Sequence, residues 1–527
     1  MKNIRITIIL CSLLLISAVV VGQKKELQVL HTETILGKNL INDNEIIGNE
    51  YTFPNIIHEV FYLPEANYAT VQLKGKNTKG NILQYDMQNK KIVWSKAIDY
   101  SANELLMFDN LLILNEYNES YVLNNHTGEN LSIIPNYIYF AKPKYNIGIA
   151  YRYISDDYTN ELMGIDLIKR KLVWKRIVNR TYGWNDFFYL NDSLLMVVAS
   201  GLHLINIKTG DGWDYNAITG EGKENAGTGP VFGVIGAMMG GLIGAAIGGA
   251  IDAAMGNTTV GSGVKRDVVS NALFDNNFIY LASQDKLAKI EEKSGNIVWE
   301  NSFPKDLTSK SSLFIDGNII YMVNYGYAMQ GGRKIGYGKL FIAAFDKQTG
   351  KQKYLSLLDY GFPIIDFKQM GKEIFLLNQQ NVIVKYNLET GNYIAETIFP
   401  EDYYGDFLNV ADSNLFFTNK NGYLLNLVQN DPENIHFNTS LRRVISIDKE
   451  LTLMNTVKYE DRGVCFLTFN AHKFIACKEK TFVINNEGKK VAELNISTNS
   501  LIIDGILYDK REKSFIVVDL QKVITSL

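Results

Sequence analysis

Cysteine, proline and histidine are scarce in this chain. Its 527 residues contain 3 cysteines, 9 prolines and 6 histidines, which excludes a disulfide-dense scaffold and a protein with several zinc sites. An excess of charge of either sign is also absent, because 53 lysines and arginines are balanced by 56 carboxylates to give a net charge of −3. A nucleic-acid-binding protein needs a basic face, so no nucleic-acid partner is expected. With 46% hydrophobic and 21% charged residues, the composition is typical of a folded globular protein.

Recognisable catalytic motifs are missing as well. The histidines form no HExxH motif and no pair at metal-ligand spacing. The glycine-rich stretch 331–339 ends in Gly-Lys, but Leu340 follows where a phosphate-binding loop has Ser or Thr. The acidic group in 401–406 is interpreted as a solvated loop, with metal or sugar binding as the alternative. We therefore predict no catalytic residues, no metal and no cofactor.

The first 22 residues have the three parts of a secretory signal peptide. Lys2 and Arg5 form a basic start, residues 6–21 form an apolar run, and Gly22 supplies a small residue before a polar stretch. The apolar run is short for a membrane span. We predict that residues 1–22 are removed and that the mature chain is exported, to a periplasm, to the outer envelope or out of the cell. An uncleaved N-terminal anchor is the alternative.

A sequence phrase recurs about every forty residues. In its clearest copies an acidic residue at the end of an apolar strand precedes an aromatic residue by eight positions. These pairs are Asp86 and Trp94, Asp166 and Trp174, Glu291 and Trp299, and Asp346 and Tyr354. Weaker copies are centred on Asn124, Asn206, Asn387 and Asn426. Four short strands in a repeat of this length are typical of a β-propeller blade.

Each part of the phrase suits a structural role. The shorter anchor side chains, Asp and Asn, can accept hydrogen bonds from the backbone of a turn. Glycine follows Thr or Ser in five copies and suits a turn residue with positive φ; these glycines are Gly128, Gly210, Gly295, Gly350 and Gly391. The aromatic residue is suited to packing between neighbouring sheets. The predicted blade-packing residues are Trp94, Trp174, Trp299 and Tyr354.

The phrase resembles the PQQ-like β-propeller repeat, from Gly80 to Asn426 outside one insertion. Partial copies follow at 482–485 and 515–519. We therefore predict an all-β fold, a single β-propeller of seven or eight four-stranded blades over residues 23–527. All copies together number ten, whereas propellers usually have up to about eight blades, so some partial copies are assigned to irregular or closure strands. Two unrelated all-β domains are the alternative.

The resemblance implies one of two kinds of protein. Quinoprotein dehydrogenases hold pyrroloquinoline quinone and calcium, typically with a vicinal cysteine pair. The cysteines here are Cys11, Cys465 and Cys477, so there is no such pair, and no calcium-ligand set can be placed. The other kind is non-catalytic and binds protein partners, as BamB-like propeller lipoproteins do, although this chain lacks a lipid-anchor cysteine. We predict a non-enzymatic interaction scaffold of the cell envelope; a quinone-dependent oxidoreductase and a carbohydrate-binding propeller with Tyr-rich loops at 325–327 and 403–404 are alternatives.

Two cysteines of the mature chain lie in neighbouring predicted strands. Residues 464–469 and 473–477 read as strands joined by a three-residue turn, which would set Cys465 opposite Cys477. Opposed residues of an antiparallel pair are close enough for a disulfide, and export permits oxidation. A disulfide is one expectation, and two buried free thiols are the other.

An insertion interrupts the repeat at 217–266. The spacing from Asn206 to Glu291 is 85 positions, and 22 of the inserted residues, 230–251, carry no formal charge. Glycine recurs there at every fourth position, at Gly236, Gly240, Gly244 and Gly248. A glycine stripe lets a second helix approach closely, so we predict a helical glycine zipper that binds an envelope protein or a second copy through 230–256. Packing on the propeller's own surface and contact with a membrane are the alternatives.

Overall fold

The structure, a computed structural model, describes most of the chain after residue 26. Described are residues 27–524 except for 64–65, 101, 155–156, 179–183, 200, 218–264, 331–332, 360, 381, 399–406, 412–413, 419–442, 448–452, 459–463, 477–479, 486–488 and 498. The predicted signal peptide, the glycines of the predicted zipper and the acidic group in 401–406 lie outside the described residues.

Antiparallel four-stranded units, here called blades and numbered in chain order, make up the described chain. Blades 1 to 4 are β3–β6 (Ile57–Leu63, Tyr68–Lys74, Lys79–Asp86, Lys91–Asp99), β7–β10 (Asn103–Phe108, Leu111–Glu116, Glu119–Leu123, Asn130–Ile134), β11–β14 (Phe140–Lys142, Ile147–Ile154, Asp157–Asp166, Lys171–Ile177) and β15–β18 (Asp186–Tyr189, Leu194–Val198, Gly201–Asn206, Gly212–Asn216). Blades 5 to 7 are β20–β23 (Leu273–Asp275, Phe278–Ser283, Lys286–Glu291, Ile297–Ser302), β24–β27 (Ser311–Asp316, Ile319–Gln330, Arg333–Asp346, Gln352–Leu357) and β28–β31 (Ile364–Met370, Glu373–Asn378, Val382–Asn387, Tyr393–Ile398).

The C-terminal part continues the same pattern and takes its last strand from the N-terminal part. Blades 8 to 10 are β32–β35 (Phe407–Ala411, Asn414–Thr418, Arg443–Ile447, Leu453–Lys458), β36–β39 (Val464–Phe469, His472–Ala476, Thr481–Ile484, Lys490–Leu494) and β40–β42 (Leu501–Ile503, Ile506–Lys510, Ser514–Asp519) completed by β2 (Glu45–Thr52). The remaining elements are β1 (Leu30–Asn39), β19 (Lys265–Arg266), a 3₁₀ helix (Pro143–Tyr145) and helix α1 (Leu520–Ile524).

Burial follows the place of each strand within its blade. The second strand of blade 1, Tyr68–Lys74, buries five consecutive residues, because neighbouring blades cover both of its faces. The fourth strand of blade 3, Lys171–Ile177, buries only Trp174. First strands of successive blades contact one another, as β7 contacts β11 and β28 contacts β32. First strands therefore lie towards the common axis, and fourth strands form the rim.

Hydrophobic cores lie between successive blades rather than within one. Ile82 of blade 1 packs in one cluster with Leu105 and Leu112 of blade 2. At the junction of the chain ends, Tyr62 of blade 1 stacks on Tyr508 of blade 10 with ring centroids 4.1 Å apart. The predicted single β-propeller of four-stranded blades is thereby confirmed.

The N-terminal strands close the ring. β2 pairs with β42 in antiparallel register, with Asn49 opposite Val517, and supplies the fourth strand of blade 10. β1 pairs with β2 on one side and with β39 of blade 9 on the other. Strands from the two ends of the chain thus share one sheet.

The blade number is close to the predicted seven or eight. The described residues form nine sheets, and the largest joins two four-stranded units through β1, so ten units follow one another. The partial repeat copies at 482–485 and 515–519, which sequence reasoning assigned to irregular or closure strands, lie in complete units as β38 and β42. In sequence the first copy is followed by Glu-Gly instead of Thr-Gly, and the second is followed by no fourth strand because β2 takes that place, which is why these units look incomplete in sequence.

The two faces of the propeller carry different connections. Strand direction alternates within a blade, so the turn between third and fourth strands shares one face with the turn between first and second strands. We call this the anchor face, because the sequence phrase forms its turns. Connections between blades and turns between second and third strands open on the opposite, insertion face. The chain leaves β18 and enters β19 on the insertion face, and the insertion lies between them.

The turn at the predicted cysteine pair differs from the expected one. Phe469 pairs with His472 across a two-residue turn, and both turn residues have positive φ. With this turn and a bulge beyond it, Cys465 lies opposite Ile475. The predicted register, in which a three-residue turn sets Cys465 opposite Cys477, is therefore wrong at Cys465. Cys477 lies outside the described residues, so the disulfide stays a prediction.

Candidate functional site

The aromatic residues of the repeat phrase dock onto the next blade. Each lies on a fourth strand and donates a hydrogen bond to a backbone carbonyl in the anchor turn that follows in the ring. The bonds are Trp94 Nε1 to Asn125 O at 2.8 Å, Trp174 Nε1 to Ile207 O at 2.7 Å, Trp299 Nε1 to Lys347 O at 3.3 Å, and Tyr354 Oη to Leu388 O at 2.6 Å. In every case the acceptor comes directly after the anchor residue of the next blade. The phrase therefore couples each blade to its neighbour.

Glycine in the anchor turn makes room for the docked ring. Gly128 has φ of 71°, and a Cβ placed there would lie 2.5 Å from Cε3 of Trp94. Gly210 meets the ring of Trp174 in the same way, with φ of 75° and a ring carbon at 2.6 Å. Positive φ and close ring contact both disfavour any side chain at these positions. The turn glycine and the aromatic residue thus form one interlocking unit across a blade boundary.

The anchor side chains hold these turns in shape. Oδ1 of Asp346 accepts hydrogen bonds from the backbone N–H groups of Gln348 and Thr349, and Asn124 holds the corresponding turn in blade 2. The hydrogen bond from the Thr349 backbone leads the interactions that lower the pKa of Asp346 below its ordinary value. The anchor is thus a turn-stabilising group of the kind expected for Asx turns.

Trp213 performs the same docking across the insertion, and sequence reasoning missed it. Its Nε1 donates a 2.9 Å hydrogen bond to Glu292 O, and its ring lies against Gly295. Blade 4 therefore couples to blade 5 just as the uninterrupted blades do, and the ring continues past the insertion.

A β-bulge explains why Trp213 escaped the pattern. In blades 1, 3, 5 and 6 the register between third and fourth strands shifts by one residue just before the anchor. The fourth strand contains one extra, unpaired residue there, and this residue places the aromatic side chain eight positions after the anchor. The β17–β18 pair has no such shift, so Leu204 lies opposite Trp213 and the aromatic residue comes seven positions after Asn206. A search that allowed both spacings would have found it.

The rim exposes apolar side chains beside the docked aromatic residues. Leu172 and Val173 of blade 3 are 54% and 46% exposed, and Ile297 and Val298 of blade 5 are 52% and 49% exposed. Each pair directly precedes a docked tryptophan in sequence. Grouped exposed apolar residues on a soluble domain often mark an interaction surface.

An ionic cluster joins blades 3 and 4, with a buried His203 and a partly exposed Asp214. Nη2 of Arg176 and Nδ1 of His203 both lie 2.6 Å from Oδ1 of Asp214. His203 is 1% exposed, and its Nε2 has no hydrogen-bond partner among the described residues. Burial by itself would raise the pKa of Asp214, but the hydrogen bonds and charges of His203 and Arg176 outweigh it and lower the pKa. Because the imidazole is enclosed, we interpret the cluster as a structural contact that holds blades 3 and 4 together.

Other predicted sites lie partly outside the described residues. Tyr325 of the Tyr-rich loop packs between blades 6 and 7, where its Oη lies 2.8 Å from Ser312 Oγ and burial raises its pKa to about 12. Residues 403–404 are not described.

Two further kinds of site are absent from the described residues. In that part of the chain no three His, Cys, Asp or Glu side chains are grouped as a metal site requires. The described helices include none with the length and hydropathy of a membrane span.

Comparison with known proteins finds one family model that matches part of the chain. Residues 245–397 match the family model described as outer membrane protein assembly factor BamB. No curated protein sequence matches the chain. Similar solved structures include BamB from Moraxella catarrhalis, with 12% identity, a TM-score of 0.29, and coverage of 74% of this chain and 95% of that one. The dihydro-heme d1 dehydrogenase NirN in complex with DHE has 10% identity, a TM-score of 0.30, and coverage of 76% and 74%.

Proposed function

This chain carries the repeats of the PQQ-like β-propeller family, and on that premise we propose that it is an exported, non-enzymatic interaction scaffold of the cell envelope. The family model matched by residues 245–397 is described by its role in assembling outer membrane proteins. The observation that carries the proposal is the interlocked ring: docked aromatic residues fix each blade against the next, while apolar pairs such as Leu172 and Val173 stay exposed on the rim. A rigid ring with exposed apolar edges suits the binding of other proteins.

The glycine zipper is proposed as the main docking element. Gly236, Gly240, Gly244 and Gly248 would lie on one helical face and admit a partner helix, from an envelope protein or from a second copy of the chain. Trp213 couples blade 4 to blade 5 past the insertion. The junction between these two blades is thus made by residues outside 230–256.

The first test is a crosslinked pull-down of the mature protein from its native cells. We expect a discrete envelope protein, or a crosslinked oligomer, that is lost when residues 230–256 are deleted. Gly240→Leu combined with Gly244→Leu should also abolish association while the melting temperature stays unchanged, because Leu blocks the stripe. The matched control is Gly241→Leu with Gly249→Leu, which adds the same bulk to the same segment away from the stripe.

Two results would count against the scaffold. Equal recovery from the wild type and the Gly240/Gly244 variant would remove the zipper from binding. Dye reduction with alcohols or sugars, dependent on added pyrroloquinoline quinone and calcium, would favour the oxidoreductase alternative instead.

A further inference from the structure

Blade 6 extends a long hairpin beyond the body of the propeller. Its middle strands β25 and β26 have 12 and 14 residues, against 4 to 10 residues for the middle strands of the other described blades. β24 pairs with β25 only up to Asn324, and β27 pairs with β26 only from Phe341 onwards. Residues 325–330 and 333–340, here called the ribbon, therefore extend on the insertion face beyond both outer strands by about five residue pairs, or roughly 16 Å, with Tyr325 and Leu340 at the base.

The base of the ribbon is held in a bent conformation. Gly326 forms a bulge with φ of 77°, and a Cβ on Gly338 (φ 71°) would lie 2.5 Å from Thr308 O. A bulge at the base of a hairpin turns its outer part to a new direction. The neighbouring segment 304–310 hydrogen-bonds to both strands, through Lys310 N to Tyr327 O and Lys339 N to Leu307 O. These contacts fix the direction in which the ribbon points.

Positive charge is concentrated on this projection. Among the side chains that the structure describes, those of the ribbon, segment 304–310 and residues 265–267 are basic at Lys265, Lys305, Lys310, Arg333, Lys334 and Lys339. All but Lys310 are exposed. The acidic residues of the same three segments are Asp267 and Asp306. Such a concentration is unusual in a chain whose net charge is −3, and it makes the outer part of the ribbon a basic surface.

Aromatic and apolar side chains lie among these charges on both faces of the ribbon. Lys334 Nζ lies 3.9 Å from the ring centroid of Tyr327 on one face, and Lys265 Nζ lies 4.2 Å from that of Tyr337 on the other. Half-buried Met329 pairs with Lys334 near the tip. Lys and Arg mixed with Tyr and a few apolar side chains form the composition that favours the headgroup region of a bilayer.

We propose that the ribbon is a docking site for an anionic membrane surface. Each Lys or Arg near such a surface adds about 1 kcal/mol of attraction, and the narrow projection lets several of them reach the headgroups together. This surface goes beyond the protein-docking role proposed above, since none of its residues belongs to the zipper.

The chain path agrees with this orientation. β19, which pairs with the outer end of β25 through Lys265 opposite Gln330, directly follows the insertion. The uncharged stretch 230–251 ends 13 residues before β19. The ribbon would therefore hold the insertion face, where β18 ends and β19 begins, towards the membrane.

The test is co-sedimentation of the mature chain with lipid vesicles. One set is pure phosphatidylcholine, and the other contains about one third phosphatidylglycerol. We expect binding to the anionic vesicles only, weakened when salt is raised from about 0.05 M to about 0.5 M. Arg333→Glu with Lys334→Glu should weaken binding at least about tenfold, because two attractions become repulsions. Lys305→Glu with Lys339→Glu should weaken it in the same direction.

The matched control reverses two charges on the anchor face. Lys293→Glu with Lys351→Glu changes the net charge equally at two exposed positions, and should bind like the wild type with an unchanged melting temperature. Equal loss in this control, equal binding to neutral vesicles, or full binding by the Arg333/Lys334 variant would overturn the proposal. Capture of an acidic protein through the ribbon, without vesicle binding, would also overturn it. The pull-down that tests the zipper is a separate experiment. Failure of the membrane-docking proposal therefore leaves the protein-binding proposal intact, and the reverse also holds.

Discussion

The indole nitrogen of Trp213 donates a hydrogen bond to the carbonyl of Glu292, 79 positions further along the chain. Between these two residues lies the whole insertion, with its uncharged glycine-rich stretch. The same contact joins blades 1 and 2 through Trp94 and Asn125 without any insertion. The shared geometry at both boundaries means that blade coupling depends on the anchor turn and not on the length of the connection.

The contact of Trp213 with Gly295 gives a direct stability test. A Cβ at Gly295 would lie 2.5 Å from two carbons of the indole, and φ there is 73°. Gly295→Ala should therefore lower the free energy of unfolding by about 2–3 kcal/mol, combining backbone strain with overpacking. Urea unfolding followed by tryptophan fluorescence measures the change.

Gly371→Ala is the matched control for this substitution. Gly371 also has positive φ, 59°, but no described atom lies within 4 Å of the position that a Cβ would take there. Only the backbone cost of about 1 kcal/mol is expected. Equal losses of unfolding free energy in the two variants would show that the contact between the glycine and the indole ring at the blade boundary contributes nothing to stability.

The cluster of Arg176, His203 and Asp214 predicts a pH-dependent part of the stability. The pKa of Asp214 is lowered in the folded protein, so folding favours its charged form. This stabilisation is fully present above the ordinary carboxyl range near pH 4 and is lost as the pH falls through the lowered pKa. Asp214→Asn should cost up to about 1 kcal/mol at neutral pH, because Arg176 loses a charged partner whose side chain is 36% exposed and therefore partly screened by solvent.

Melting temperatures measured from neutral pH to about pH 3 test this dependence. The difference in melting temperature between wild type and Asp214→Asn should narrow in acid, since protonation of Asp214 removes the same interaction from the wild type. Asp192→Asn serves as the control, because its partner Lys144 and Asp192 itself are 58% and 62% exposed and exposed pairs contribute little. A gap that stays constant over the whole range would contradict the assigned role.

Ring closure by the N-terminal strands predicts the effect of a truncation. A mature chain beginning at residue 54 lacks β1 and β2, which leaves β42 and β39 with unpaired edges. We expect a melting temperature lower by at least about 5 °C and concentration-dependent association, because exposed edges pair with other chains. Differential scanning calorimetry and sedimentation velocity measure the two effects.

A synthetic peptide covering residues 30–52 provides the rescue experiment for that truncation. Added in excess, it should restore the monomer, since it supplies both missing strands. A truncated chain that melts like the intact one would show that the pairing of the chain ends is not needed for closure.

Sequence reasoning reached the docked residues where the local pattern was regular. Trp94 and Trp174 follow their anchors by eight positions, and the structure places both rings over turn glycines of the next blade. Trp213 was missed because its strand pair lacks the bulge that creates this spacing. The ionic cluster was also missed, because Arg176 and His203 come from different blades and meet only across a blade boundary. The residues adjacent to Arg176 and to His203 in sequence form no motif from which this cluster could be predicted.

The sequence by itself determined the repeating unit of this protein. Alternating strands, an Asp or Asn anchor, a turn glycine and a following aromatic residue act over a few positions, where hydrogen bonding and φ preferences decide the conformation. Only the tertiary structure decided how many units form the ring, that β2 completes blade 10, and that the ribbon of blade 6 projects beside β19. These features depend on strand register and on pairing between distant parts of the chain, which local residue preferences do not specify.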